Sequence, residues 1–294
     1  MKSGMTAPTR RNAWTKIIVI TLLVLGLAWL TSALIVRYEI EKHVLTTKPN
    51  GPETPAKYGA PFVHTSIPSG PRQLDASIVI APTTCTSSPV LLIYHGLGET
   101  LSDWSRAQQF LYTQCVSSVV FDPTGAGNSP RPARLTFTIP DSIAAYQFTT
   151  QRFPGKPIFL LGHSLGNAFV LAAAPQLSPA PAGIIEANGF ASIRSVAGRG
   201  KSAAFHLFLD VMPRWWDNVQ AVQQIHVPIM VIASDGDHAI PIDNGQAIFA
   251  AAPQPKRFVQ LHGFGHNALY KNPSLDWWAE PLAFLRNAHL APTA

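Results

Sequence analysis

At 294 residues the chain has room for one large domain or two small ones. Hydrophobic residues make up 47% and charged residues only 13%, which excludes an intrinsically disordered chain, because disorder needs the opposite balance. The net charge of +6 owes +4 to Lys2, Arg10, Arg11 and Lys16, so the basic character marks the N-terminal flank rather than a nucleic-acid surface. Gly and Pro, 20 and 26 in number, recur without period, which removes collagen-like and low-complexity readings.

Residues 1–16 read as a cytoplasmic tail. Ile17 to Val36, IIVITLLVLGLAWLTSALIV, carries no charged side chain, and a helix of this length spans roughly 30 Å, the thickness of a bilayer's hydrocarbon core. The basic residues before it and the near-cancelling Arg37, Glu39, Glu41 and Lys42 after it place the N-terminus in the cytoplasm by the positive-inside rule. The segment is therefore a signal-anchor that exports the following domain. A cleaved secretory signal, with Thr31-Ser32-Ala33 as its small-residue site, is the alternative.

Residues 37–61 form a linker, and Lys48 to Pro61, KPNGPETPAKYGAP, reads as a semi-rigid tether. Residues 62–294 suit one α/β domain. Short apolar runs predict strands at Ile78–Ile80, Val90–Tyr94, Ser118–Phe121, Ile158–Leu161, Ile184–Ala187, Ile229–Ala233 and Phe258–Leu261. Their near-continuous apolarity is that of parallel strands covered on both faces. Helices are predicted at Ser105–Cys115, Asp141–Phe153 with Asp141 as N-cap, Leu165–Ala174, Gly245–Ala252 and Ser274–Ala288. Alternation of this kind gives a mostly parallel sheet between helices, with ligands bound beyond the carboxyl ends of the strands.

Chemistry is concentrated at that edge. Gly162-His163-Ser164-Leu165-Gly166 follows one strand and opens a helix, the setting in which a serine occupies a sharp turn with its hydroxyl projecting above the sheet. Such a turn aims backbone N–H groups at the oxygen that gains charge in acyl transfer. A serine hydroxyl needs a base, and the base needs an orienting carboxylate. Downstream lie Ser234-Asp235-Gly236-Asp237-His238 and the loop FVQLHGFGHN ending on His266 and Asn267, in the chain order Ser, acid, His.

Four motifs carry a resemblance: Tyr94-His95-Gly96-Leu97-Gly98-Glu99, Phe121-Asp122-Pro123-Thr124-Gly125-Ala126-Gly127-Asn128-Ser129, the GHSLG turn, and the Asp237 and His266 loops. With these the sequence, from about Ile78 onward, resembles the α/β-hydrolase superfamily, and most closely its monoacylglycerol-lipase-like and serine-aminopeptidase-like (S33-type) branch. The resemblance implies Ser164 as nucleophile, Asp237 as acid, His266 as base, and the backbone amides of Leu97 and Leu165 as the oxyanion hole. Asp235 and Glu186 are alternative acids, and His262 an alternative base. Residues 191–227 correspond to the family's cap, where Phe205, Leu207, Phe208, Leu209, Val211 and Met212 suggest an apolar roof. His95, His163, Trp215 and Trp216 are candidate substrate-pocket residues, although His95 also reads as a support of the oxyanion loop. In the resembling fold the strands following Cys85 and Cys115 are parallel neighbours, so these cysteines are expected to be bonded, in an exported compartment where disulfides persist.

The expected function is a serine hydrolase of carboxylic esters or thioesters, acting on a small-molecule or lipid-like acyl substrate through an acyl-enzyme. It requires no metal or organic cofactor, and neither nucleic acid nor an obligate protein partner is indicated. An aminopeptidase-like peptidase and a non-catalytic binding protein on the same fold are the alternatives.

Overall fold

The central strands are apolar without alternation because neighbouring residues of a strand face opposite sides of the sheet and both sides here are covered. The computed structural model describes residues 10–287, with side chains from Trp14 onward. Residues 1–9 of the predicted tail and the predicted helix end at Ala288 lie outside the described residues.

A long helix α1 (Arg10–Glu39) runs through the predicted span and passes into a single π-helical turn, Ile40–Val44. The domain then follows as β1 (Val63–Ser69), β2 (Arg72–Val79), β3 (Val90–Tyr94), α2 (Ser105–Thr113), β4 (Ser117–Phe121), α3 (Thr138–Arg152), β5 (Ile158–His163) and α4 (Leu165–Ala173). Next come β6 (Gly183–Ala187), α5 (Ile193–Ala197), α6 (Ala203–Val211), α7 (Asn218–Val222), β7 (Ile229–Ser234), α8 (Ile242–Ala251), β8 (Lys256–Leu261), α9 (Ala268–Lys271) and α10 (Leu275–Asn287).

The eight strands form one sheet in the order β1-β2-β4-β3-β5-β6-β7-β8. The first two pairings, β1 with β2 and β2 with β4, are antiparallel, and the rest are parallel. Within β3 and β5, Leu92, Tyr94 and Leu160 join one buried cluster, while Leu91, Ile93, Phe159 and Leu161 join the cluster on the opposite face. Trp277 and Trp278 are fully buried packing anchors of the second cluster.

Three features depart from the sequence-based expectation. Strand β1 carries an exposed, polar pattern over most of its length, so it escapes a search for apolar runs. It is an edge strand on β2, which itself begins at Arg72 rather than at Ile78. Asp141 does not cap α3, which starts three residues earlier. Its buried carboxylate accepts from Thr124 N–H (2.9 Å), Ser69 Oγ (2.6 Å) and Arg72 Nη2 (2.9 Å), a tertiary network invisible to local pattern.

The third departure concerns residues 37–61, which do not hang free as a tether. Ile40 and Leu45 are buried in the first core cluster. The Glu41 carboxylate is buried too, accepting from Arg37 Nε (3.0 Å), Leu135 N–H (3.1 Å) and Arg134 Nη1 (3.3 Å). Further on, Thr47 N–H donates to the Gly125 carbonyl (3.2 Å) and Thr47 Oγ1 accepts from Gly127 N–H (2.9 Å). Asn50 Nδ2 reaches Asp75 (2.8 Å), Gly51 N–H reaches Ser102 Oγ (2.9 Å), and Pro55 and Ala60 are buried. A Pro/Gly-rich segment without periodicity becomes an ordered strap because polar loops of the domain satisfy its backbone.

Cys85 and Cys115 are joined by a disulfide with Cα atoms 5.7 Å apart, within the span a disulfide bridges without distortion. It ties the loop before β3 to the turn between α2 and β4, at the amino ends of two parallel neighbours.

Candidate active site

The loops that follow β3, β5, β7 and β8 leave the same edge of the parallel sheet and bring Leu97, Ser164, Asp237 and His266 together there. Ser164 sits between β5 and α4 with φ 53° and ψ −116°, a conformation that L-residues rarely adopt and that surrounding structure must enforce. The turn tolerates no side chains at its flanks. A Cβ on Gly166 would lie 1.9 Å from the Tyr94 carbonyl oxygen, and one on Gly162 would lie 2.4 Å from Asn167 Oδ1. The next residue, Leu165, opens α4, so its N–H belongs to the unpaired first turn of a helix.

His266 Nδ1 lies 2.6 Å from Asp237 Oδ2. The other oxygen of Asp237 accepts from the N–H groups of Ala239 (2.8 Å) and Ile240 (2.9 Å), which holds the carboxylate's orientation. The alternative residues form a pair of their own: His262 Nδ1 is 2.6 Å from Asp235 Oδ2. Exposure separates the two pairs. The side chains of Asp237 and His266 are 1% and 19% exposed, those of Asp235 and His262 41% and 76%. Glu186, the remaining alternative acid, is fully buried on β6 between β5 and β7, and burial raises its pKa to about 8, with neither carboxyl oxygen hydrogen-bonded among the described residues.

His95 and His163, candidate pocket residues from the sequence, do not line the chamber over Ser164. Both are buried supports. His95 Nε2 contacts Asp122 Oδ1 (3.1 Å), whose same oxygen accepts from Leu101 N–H (2.8 Å). His163 Nε2 donates to the His266 carbonyl (3.0 Å), and its Nδ1 makes a 2.8 Å ion-pair contact with Glu99 Oε1 outside aligned hydrogen-bond geometry. Burial alone would lower the His163 pKa, but the Glu99 carboxylate, the His266 carbonyl and Asp237 outweigh it and hold it above the ordinary histidine value.

Glu99 is the residue that sequence reasoning passed over. Its Oε2 accepts from Gly96 N–H (2.8 Å) and Trp104 Nε1 (2.9 Å). Burial pushes its pKa up, yet the charges of His163 and His95 and these bonds bring it to about 2. Glu99 thus clamps the loop containing Leu97 to the residue preceding Ser164. The signal was present as the last residue of YHGLGE, but its partner His163 is 64 positions away in a motif read for its serine.

Above Ser164 lies an apolar chamber of about 600 Å³, within the usual range for small-molecule sites. Leu97, Leu165, Phe190, Trp215 and Trp216 line it, and the predicted roof supplies Phe205, Phe208, Leu209 and Met212. Leu207 and Val211 instead face outward, 66% and 53% exposed. Ile35, Val36, Ile40 and Val44 also line the chamber, although sequence reasoning had assigned them to the membrane span and linker.

Comparison with known proteins agrees with this geometry. The family profile described as serine aminopeptidase, S33 matches residues 86–220. The chain is 29% identical over 196 residues to an uncharacterized protein of Mycobacterium tuberculosis, covering 63% of this chain and 65% of that one. It is 27% identical over 220 residues to the lysophosphatidylserine lipase ABHD12 of Danio rerio, covering 65% of this chain and 56% of that one. The matches thus span between half and two thirds of the length of these curated relatives. Among solved structures, an esterase of Pyrococcus furiosus superposes with a TM-score of 0.66 at 13% identity, covering 82% of this chain and 97% of that one. The esterase domain of a Rhodothermus marinus protein gives 0.56 at 21% identity, covering 78% and 99%. At these identities the structural likeness speaks for the fold alone. Strand order and strained serine turn are those of an α/β-hydrolase fold, and the profile and the relatives show what the chain is similar to, the S33-like branch of that superfamily.

Proposed function

We propose that the protein is a serine hydrolase that cleaves carboxylic esters or thioesters of lipid-like acyl substrates. Ser164 attacks the acyl carbon while His266 takes its proton, and Asp237 holds the imidazole with its Nδ1 protonated and Nε2 free to accept. The N–H groups of Leu97 and Leu165 donate to the oxyanion. Collapse of the tetrahedral adduct expels the alcohol or thiol, protonated by His266, and leaves an acyl-enzyme. Water activated by His266 then releases the acid and restores Ser164. The Ser164 hydroxyl has no hydrogen bond among the described residues, and such bonds commonly tighten only when substrate is bound.

The observation that carries this reading is a strained serine on the floor of an apolar chamber, at the edge that holds a buried Asp–His pair. The sequence similarity to a lysophosphatidylserine lipase supports it. A peptidase reading is disfavoured because an aminopeptidase site wants a free carboxylate for the substrate ammonium, and Glu39, the carboxylate on the chamber lining, contacts His43 Nε2 (3.3 Å). The cap's carboxylates are engaged, Asp210 with Arg194 and Asp217 with Gln220 N–H. Export of the catalytic domain by the anchor, N-terminus in the cytoplasm, is supported by the Cys85–Cys115 bond, since such bonds persist outside the cytoplasm.

A fluorophosphonate probe is expected to label the full chain and not the Ser164→Ala variant. Labelling that persists in the variant overturns the assignment of the nucleophile. Turnover of aminoacyl anilides in preference to p-nitrophenyl esters overturns the substrate class.

A further inference from the structure

The membrane helix and the chamber are not separate parts. From Trp14 to Thr31 the described side chains of α1 are exposed, as a bilayer-facing helix requires. At its end the same helix supplies Ile35 and Val36 to the wall over Ser164, and the π-helical turn supplies Ile40 and Val44. Val36 and Val44 also pack on the core cluster that contains Leu165 and Phe190. One side of the chamber is thus built by the anchor.

The cap meets the anchor from the other side. Trp29 Nε1 donates to the Val211 carbonyl at the end of α6. Trp29 precedes Ile35 by six residues, roughly 9 Å along a helix at about 1.5 Å per residue. The carboxyl end of α6 therefore sits beside a part of α1 that lies within the predicted span. Helix α6 has apolar side chains on two sides: Phe205, Phe208 and Leu209 face the chamber, while Leu207 and Val211, one turn apart, face outward and are exposed. His206 and Asp210 interrupt the apolar surface, with Asp210 paired to Arg194, but a helix with two apolar sides needs apolar surroundings on both. Here the inner side has the chamber, and the bilayer beside α1 supplies the outer.

We propose that the last turns of the anchor, Ile35 to Val44, are part of the acyl-binding wall and set its length selectivity, and that the chamber opens toward the bilayer and takes the chain of a single-chain lipid ester. This rests on the serine-hydrolase reading of Ser164. The chamber volume suits one chain with a small head group, and besides Ser164 the lining carries the ionisable residues Glu39, His43 and Arg194.

The test uses the full chain in phosphatidylcholine nanodiscs, with p-nitrophenyl acetate, butyrate, decanoate and laurate as substrates. The readout is the ratio of kcat/KM for laurate to that for acetate. Val36→Trp, which fills the wall, is expected to lower this ratio by about tenfold or more, the scale on which pockets discriminate small changes in apolar fit. Val36→Ala, which leaves the fold unburdened, is expected to move the preferred chain length upward. Leu22→Trp, on the exposed span, is expected to keep the unmodified ratio. An unchanged ratio in both Val36 variants, or the same shift with Leu22→Trp, overturns the wall. Bimane attached at Leu207→Cys is expected to be quenched by doxyl-labelled lipid, and absence of quenching overturns the bilayer-facing mouth. Fluorophosphonate labelling of Ser164 separates the two levels. Labelling with an unchanged ratio defeats this inference alone, and no labelling defeats the hydrolase reading beneath it.

Discussion

Two Asp–His pairs with the same 2.6 Å separation lie on the loops after β7 and β8, and substitution of one atom in each tells them apart. In Asp237→Asn, the side chain must choose which group faces which partner. The N–H groups of Ala239 and Ile240 both point at Oδ1, so the amide oxygen stays there, since the reverse orientation loses two hydrogen bonds and sets donor against donor. Loss of each such bond costs about 1 kcal/mol, with more for the donors left unsatisfied. The amide nitrogen is then directed at His266 Nδ1, which must become an acceptor. The ring proton moves to Nε2, the atom that in the proposed mechanism receives the proton of Ser164. The imidazolium also loses its counter-charge. For a triad held in the wrong tautomer the expected loss is about 10⁴-fold in kcat, or roughly 5 kcal/mol at the transition state. Asp235→Asn alters an exposed, solvent-screened pair that contributes little, so activity is expected to stay within about fivefold. The assay is p-nitrophenyl butyrate hydrolysis across pH 5–10 with the full chain, alongside the rate of fluorophosphonate labelling. Activity of Asp237→Asn within tenfold of the unmodified protein, or an equal loss in Asp235→Asn, refutes the assignment of the acid.

Other consequences concern stability. Glu186 holds its proton to about pH 8 when folded and to its ordinary 4.5 when exposed, so the folded chain binds more protons between these values and stability falls as pH rises through that window. At roughly 1.4 kcal/mol per pKa unit the cost reaches about 5 kcal/mol above pH 8. Glu186→Gln is expected to raise Tm more at pH 8.5 than at pH 5, and an equal shift at both refutes a buried neutral carboxyl. Replacing Cys85 and Cys115 with serine opens a loop with a separation of 30 residues, worth on the order of 3–4 kcal/mol in the chain-entropy account. The urea midpoint is expected to fall accordingly, and an unchanged midpoint would exclude a structural bond. Gly166→Ala places a Cβ 1.9 Å from the carbonyl of a central strand, and neither backbone has room to retreat. Folded yield and probe labelling are both expected to collapse, whereas an active, soluble variant contradicts the tight turn.

The elements that the sequence makes legible are those whose cause is local. Strands β3 to β7 announce themselves because burial on both faces demands near-continuous apolar runs, β2 and β8 only through the short apolar runs at their ends, and the serine turn does so because its flanking glycines meet the backbone in a few residues of chain. The resemblance to a known family supplied the candidate order of serine, acid and histidine and the expectation, met in the structure, that Cys85 and Cys115 pair.

What the chain's linear order conceals is which distant groups satisfy one another. Asp235 and Asp237 stand two residues apart with the same chemistry, and only folding buries one of the two Asp–His pairs and exposes the other. Glu99 acquires its partner because β3 and β5 are adjacent in the sheet, and His163 turns from a pocket candidate into a buried brace for the same reason. The strap after α1 carries no periodicity because its order comes from hydrogen bonds to the loops around Ser102 and Gly127, not from a pattern of its own. Composition alone determined that α1 is long and apolar enough to cross a membrane. That its last turns also wall the chamber over Ser164 was decided only by the tertiary structure, because an apolar side chain favours any surface that removes it from water, and the fold chooses which one.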